Sequence, residues 1–202
     1  RLPKEIVEAE VDYIRRMGVD IKNDYVVGKL DTVDELLEEY DAVFVGTGAG
    51  LPGWTGLKGE NFNGIMSANE FLTRVNLMKA FRFPDYDTPI RVGQRVVTIG
   101  GGNVAMDCAR TSLRLGCEES VILYRRSDAE LPARREEVHH AKEEGVRFEL
   151  LAAPVEFIGD ECGNVKQVEA IRMQLGEPDA SGRRRPIKMP GSEFLIDAQT
   201  VL

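Results

Sequence analysis

Six consecutive residues carry the clearest chemistry in this chain: Gly100-Gly101-Gly102-Asn103-Val104-Ala105. They spell G-x-G-x-x-A. An apolar run at 95–99 precedes them, and apolar residues at helical spacing follow over 103–115. That context suits a dinucleotide pyrophosphate. Gly100 lets the chain turn tightly out of a strand. Gly102 has no side chain, so a pyrophosphate can approach the backbone. Ala105 lets the helix pack close to the sheet. The helix then presents unpaired N–H groups and the positive end of its dipole to the phosphates. The competing reading is a glycine-rich turn with no nucleotide, which the matching context on both sides disfavours.

A second apolar run, 120–124, ends in Tyr124-Arg125-Arg126. A site for NAD places Asp or Glu here, about 20 residues past the glycines, to accept from the ribose 2′-hydroxyl. Two arginines stand here instead. A guanidinium binds a 2′-phosphate in a fork, whereas a carboxylate repels it. The expectation is therefore NADP(H) rather than NAD(H), with Arg125 and Arg126 as phosphate ligands. Arg134 and Arg135 lie one loop further on and either join that pocket or lie on a helix surface. Asp128 and Glu130 are the nearby carboxylates. Ser127-Asp128-Ala129-Glu130 reads as a capping box for the next helix, which explains them without a ribose.

These residues need elements to hold them. Strand-like runs at 95–99, 120–124 and 146–151 alternate with helical stretches at 103–115 and 132–144. That alternation predicts right-handed βαβ units. The fold class expected is α/β: a Rossmann-like parallel sheet with helices on both faces, plus a small antiparallel β extension. The extension is read from 155–158 and 165–175 flanking Gly163-Asn164, with a polar loop at 177–190 and a last strand or two at 194–202. The triple arginine Arg183-Arg184-Arg185 reads as a solvated loop tip. Upstream, 2–17 reads as a helix, 19–30 as short extended pieces, and Thr32 to Glu35 as a capping box. The run 42–45 reads as a buried strand ending at small residues. Ser67 to Glu70 caps a helix at 71–80, and 83–92 reads as a linker. Small residues after a strand, here Thr47 and Gly48, fit a close ligand or simply a tight exit.

Composition narrows the classes. The chain has 202 residues, 43% hydrophobic and 30% charged, enough apolar content for a packed core. Its net charge of −8 argues against nucleic acid or an anionic membrane as partner. Three separated cysteines and no CxxC point to a reducing, cytoplasmic setting. The missing CxxC also excludes a thioredoxin-reductase-type dithiol shuttle within these residues. Two adjacent histidines, His139 and His140, support neither a metal site nor a catalytic triad. The chain opens on Arg1 and stops at Leu202, so the expectation is a piece of a longer protein.

Gly100 to Asp107, Tyr124-Arg125-Arg126 and Leu131-Pro132-Ala133-Arg134 together resemble the small (beta) subunit family of NADPH-dependent glutamate synthase. The opening Arg1-Leu2-Pro3-Lys4 and the segment 40–49 share the resemblance. Near relatives are ferredoxin–NADP oxidoreductase subunits and the N-terminal part of dihydropyrimidine dehydrogenase. The resemblance implies an NADPH domain inserted into an FAD domain. Residues 1–50 would be a flavin-domain remnant, 51–92 a connection, and 93–202 the NADP(H) domain. Thr47, Gly48 and Ala49 would match the strand beside FAD. It further implies hydride transfer from NADPH to FAD and onward to iron–sulfur centres, on a large subunit or a ferredoxin-like acceptor, within glutamate biosynthesis. The cofactors carry that chemistry, so no catalytic acid or base and no metal ligand is assigned. The FAD pyrophosphate fingerprint is not among these residues, so the chain alone is expected to be inactive. A reading from another class is a non-catalytic NADP(H)-sensing domain.

Overall fold

A computed structural model describes residues 3–48, 50–180 and 182–202. Arg1 and Leu2 of the opening motif, Ala49 of the flavin match, and Ser181 lie outside the described residues. The chain separates into two compact units, Arg1–Gly48 and Ala49–Leu202.

The first unit holds α1 (Lys4–Arg16) and α2 (Val33–Glu39). Ile6, Val7 and Ile14 fall at helical spacing, yet all three are exposed, and neither helix buries a residue. The Thr32 box is formed in both directions. The Glu35 amide donates to Thr32 Oγ1 at 3.2 Å, and the Thr32 amide donates to Glu35 at 2.7 Å. These bonds hold the Glu35 carboxyl below its ordinary range. The expected extended pieces at 19–30 are turns and irregular backbone. The strand expected at 42–45 is not formed, and Phe44 is 94% exposed. An apolar run becomes a strand only by pairing its N–H and C=O groups with a neighbour.

The second unit is built on a four-stranded parallel sheet. Its strands are β1 (Arg95–Ile99), β2 (Glu119–Tyr124), β3 (Arg147–Leu150) and β7 (Thr200–Val201), in the order β3-β2-β1-β7. Alternate residues of a strand face opposite ways. Ile122 and Tyr124 cluster with Met106 and Ala109 of α4 (Asn103–Arg114), and with Val138 and Ala141 of α5 (Arg135–Glu143). Val96 clusters with Phe71 of α3 (Ala68–Leu72) and with Val75. The other face, Val97, Val121 and Leu123, packs against Phe157, Val168 and Ile196. Those three residues belong to an antiparallel sheet of β4 (Ala152–Gly159), β5 (Val165–Pro178) and β6 (Arg184–Asp197).

The expected Rossmann-like parallel sheet with helices and a small antiparallel extension is what the chain forms. Within this unit the extension itself lines the second face of the sheet. Three local expectations change. The helix expected at 71–80 starts earlier and passes into a π-helical turn at Thr73–Leu77. Only the Ser67 half of its box forms, because Glu70 pairs with Arg74 instead. The polar loop expected at 177–190 is mostly strand: β5 runs to Pro178 and β6 starts at Arg184. Most of β6 ahead of Phe194 is exposed, so no apolar alternation marked that part as a strand.

Candidate dinucleotide site

The three glycines have three different surroundings. Gly100 has φ +133°, a conformation that side chains disfavour, and its N–H donates to the Leu123 carbonyl at 3.1 Å. A Cβ on Gly101 would lie 2.8 Å from the Tyr124 ring and from Leu131. Gly102 has φ −85° and ψ 175°, which any residue adopts, and a Cβ there would meet nothing within 4 Å. Neither backbone strain nor packing calls for glycine at Gly102. The open space beside it fits a group that must approach the backbone closely.

Gly102 is the N-cap of α4, and among the described residues no side chain caps that end. The first-turn N–H groups therefore face outward without a protein acceptor from the cap. Asn103 and Val104 are exposed there, and Ala105 is buried. A second loop is stapled across this helix end. The Ala133 N–H donates to the Gly101 carbonyl at 3.1 Å, and the Arg134 N–H donates to Asn103 Oδ1 at 2.9 Å. Arg134 thus stands beside the glycine turn with its side chain exposed.

The two adjacent arginines have different surroundings. Arg125 is exposed and makes no ion pair or side-chain hydrogen bond among the described residues. Arg126 is only 4% exposed. Its Nη2 donates to Asp179 at 2.5 Å and its Nε to the Arg184 carbonyl at 2.8 Å. The sequence treated the pair alike, but the geometry leaves Arg125 available for a ligand and commits Arg126 to the β5–β6 hairpin. The partner that explains Arg126 lies 53 positions away, beyond any local pattern.

Both nearby carboxylates are engaged. Glu130 accepts from the Ser127 amide at 3.2 Å and from the Ser127 hydroxyl, closing the expected box, but on a separate 3-10 turn at Asp128–Glu130 and not at the start of α5. Arg184 Nε adds a third contact at 2.9 Å. The Ser127 hydroxyl first, and Arg184 next, hold the Glu130 carboxyl below its ordinary range. Asp128 pairs with Lys142 at 2.7 Å. Neither acid is poised as a ribose acceptor.

Beyond the C-terminal ends of β1 and β7 lies a crevice of about 290 Å³. Strand order reverses here, with β2 on one side of β1 and β7 on the other. Such a switch point is where open α/β sheets take ligands. Trp54, Ile99, Phe157 and Leu202 give it apolar walls. The Trp54 wall is held by Glu60, which accepts from the Thr55 amide at 2.6 Å and the Gly56 amide at 2.9 Å. No sequence motif marked Glu60 or Trp54. Cys108 and Cys117 are buried, and burial pushes their thiols up to about 12 and about 11, so neither is an available nucleophile. Thr47 and Gly48 belong to the first unit, on irregular backbone.

Comparison with known proteins agrees with this architecture. The family described as pyridine nucleotide-disulphide oxidoreductase matches residues 4–187. The chain is 43% identical to the NADPH-Fe(3+) oxidoreductase subunit beta of Geobacter sulfurreducens, over all of this chain and 29% of that one. It is 41% identical to the NADP(+)-dependent formate dehydrogenase subunit beta of Moorella thermoacetica, over all of this chain and 28% of that one. It is 38% identical to the glutamate synthase [NADPH] small chain of Escherichia coli, over all of this chain and 43% of that one. The chain thus spans less than half the length of these relatives. Among solved structures, FprA of Mycobacterium tuberculosis in complex with NADPH superposes with a TM-score of 0.71 at 24% identity, covering 88% of this chain and 52% of that one. That likeness concerns the fold.

Proposed function

The chain belongs to the pyridine nucleotide-disulphide oxidoreductase family, and from that premise we propose that it is the NADP(H)-binding portion of a flavin-dependent oxidoreductase. The observation that carries the reading is the combination of Gly102 and Arg125. One offers open space at a helix N-terminus and the other a cation at the end of the next strand, the first uncapped and the second unpaired among the described residues. The pyrophosphate is assigned to Gly100, Gly101 and Gly102, with the N-terminal turn of α4 at Asn103, Val104 and Ala105. The 2′-phosphate is assigned to Arg125 and Arg134, with Arg126 supporting from behind. The nicotinamide end is assigned to the crevice beside Trp54. When bound, the nicotinamide supplies a hydride. The chain's own residues bind and orient the dinucleotide and keep water from its apolar end.

Thr47 and Gly48 are offered as a contribution to an FAD site, on the family resemblance alone. The names of three relatives each carry NADP(H), which supports the choice of dinucleotide. For the intact protein, electrons are proposed to pass to iron–sulfur centres on a large subunit or a ferredoxin-like acceptor. Glutamate synthesis is the version of that activity we favour. Among the described residues no helix is long and apolar enough to cross a membrane.

Calorimetric titration with NADPH and NADH tests the reading. A charge-assisted hydrogen bond contributes ~1.5–3 kcal/mol, or roughly 10- to 100-fold in affinity. NADPH is expected to bind at least ~10-fold more tightly than NADH, and Arg125→Ala to remove that margin while leaving NADH affinity unchanged. Equal affinities in the wild type would overturn the assignment.

A further inference from the structure

The β5–β6 hairpin is fastened to the turn that carries Arg125, at a point remote from the rest of its own sheet. The turn between its strands is tight. The Asp179 N–H donates to the Arg183 carbonyl at 2.8 Å, and the Gly182 N–H donates to the Asp179 carbonyl at 2.9 Å. From this turn two ion pairs reach the segment after β2. Asp179 takes the buried Arg126 guanidinium, and Arg184 takes Glu130. The pairs cross: Arg184 accepts from Arg126 through its carbonyl and donates to Glu130 through its side chain. On the far side, Tyr124 Oη donates to the Glu130 carbonyl at 2.7 Å. Residues 124–130 are thus gripped between the sheet and the hairpin, and Arg125 is the one cation of that segment left outward and unpaired among the described residues.

We infer that the β5–β6 hairpin is a selectivity element of the dinucleotide site. Asp179 and Arg184 act as positioning residues that hold Arg125 toward a 2′-phosphate. This rests on the proposed NADP(H) reading and deepens it. The physical logic is one of charge allocation. Two adjacent cations could share one phosphate or repel each other from it. Asp179 neutralises Arg126 inside the protein, where an unpaired guanidinium would be costly. The turn then presents a single cation in a fixed place. Without Asp179, Arg126 keeps only a backbone carbonyl, the buried charge draws the turn out of position, and Arg125 moves with it.

The test is NADPH and NADH affinity in the intact protein for wild type, Arg125→Ala, Asp179→Asn and Arg184→Gln, with thermal unfolding of each. Wild type and Arg125→Ala decide whether the 2′-phosphate reading stands. If the wild type shows no preference for NADPH, that reading falls and the inference falls with it. Given a preference, Asp179→Asn is expected to weaken NADPH about tenfold with NADH unchanged, since it degrades one charge-assisted contact. Arg184→Gln keeps the carbonyl that Arg126 uses, and its side chain is 51% exposed, so its fold is expected to survive. It should weaken NADPH about threefold, again without touching NADH. Asp179→Glu, which restores the charge, should recover part of the loss. A purely structural hairpin would lower both affinities together or neither. Either pattern, or a gain in NADPH affinity on freeing Arg126, would overturn the inference.

Discussion

The segment from Arg95 to Arg134 and the segment from Thr32 to Gly48 carry similar signals in sequence: an apolar run, small residues after it, and a capping box beside it. Their outcomes differ. In the first, Val96 and Val97 are fully buried, β1 pairs with β2 and β7, and the glycine turn is locked by Leu123, Tyr124 and Leu131. In the second, the cap forms as expected, but Phe44 and Val45 stay exposed and no strand appears. Caps and turns are local and need no distant partner. Strands require partners, and burial requires a surface to pack against.

Truncating an aromatic side chain in each unit tests that contrast. Phe71 is fully buried under Val96 in the second unit. Phe71→Ala should cost about 3–5 kcal/mol in denaturant unfolding of this chain. Phe44→Ala, at an exposed position, should stay within about 0.5 kcal/mol. Comparable losses would mean that the first unit is packed in solution after all.

A smaller effect sharpens the picture inside the second unit. Thr98 on β1 is 1% exposed, and its Oγ1 is the one buried side-chain polar atom without a partner among the described residues. Burying an unsatisfied hydroxyl costs about 1–3 kcal/mol, and valine keeps the shape without the oxygen. Thr98→Val should therefore raise stability by roughly 1 kcal/mol. A loss of stability would show that the hydroxyl is satisfied, for example by an internal water.

The same contrast explains what could be read in advance. β1, β2 and α4 were legible because the strand, glycine turn and helix follow one another directly. The Ser127–Glu130 box was legible because its partners lie three residues apart. The division of labour between Arg125 and Arg126 was not, since it depends on Asp179 in a hairpin that closes 53 positions later. Only the outer part of the hairpin, 177–190, was read as a loop, because Pro178, Pro186 and Pro190 and its exposed charges hide the strand pattern. The Trp54 crevice was hidden for a similar reason: it forms only when β7 returns beside β1.

On the proposed reading the glycine turn cradles a dinucleotide and is more than a fold device. Gly102→Ala tests it most directly, because Gly102 has ordinary backbone angles and an empty surrounding. The measurement is NADPH affinity together with thermal stability. Stability should change by no more than about 1 kcal/mol, the range for altering an N-cap residue. NADPH affinity should fall at least ~10-fold, because the new methyl occupies the space assigned to the pyrophosphate. Full NADPH affinity in the folded variant would contradict the account and leave the glycine turn a purely structural feature.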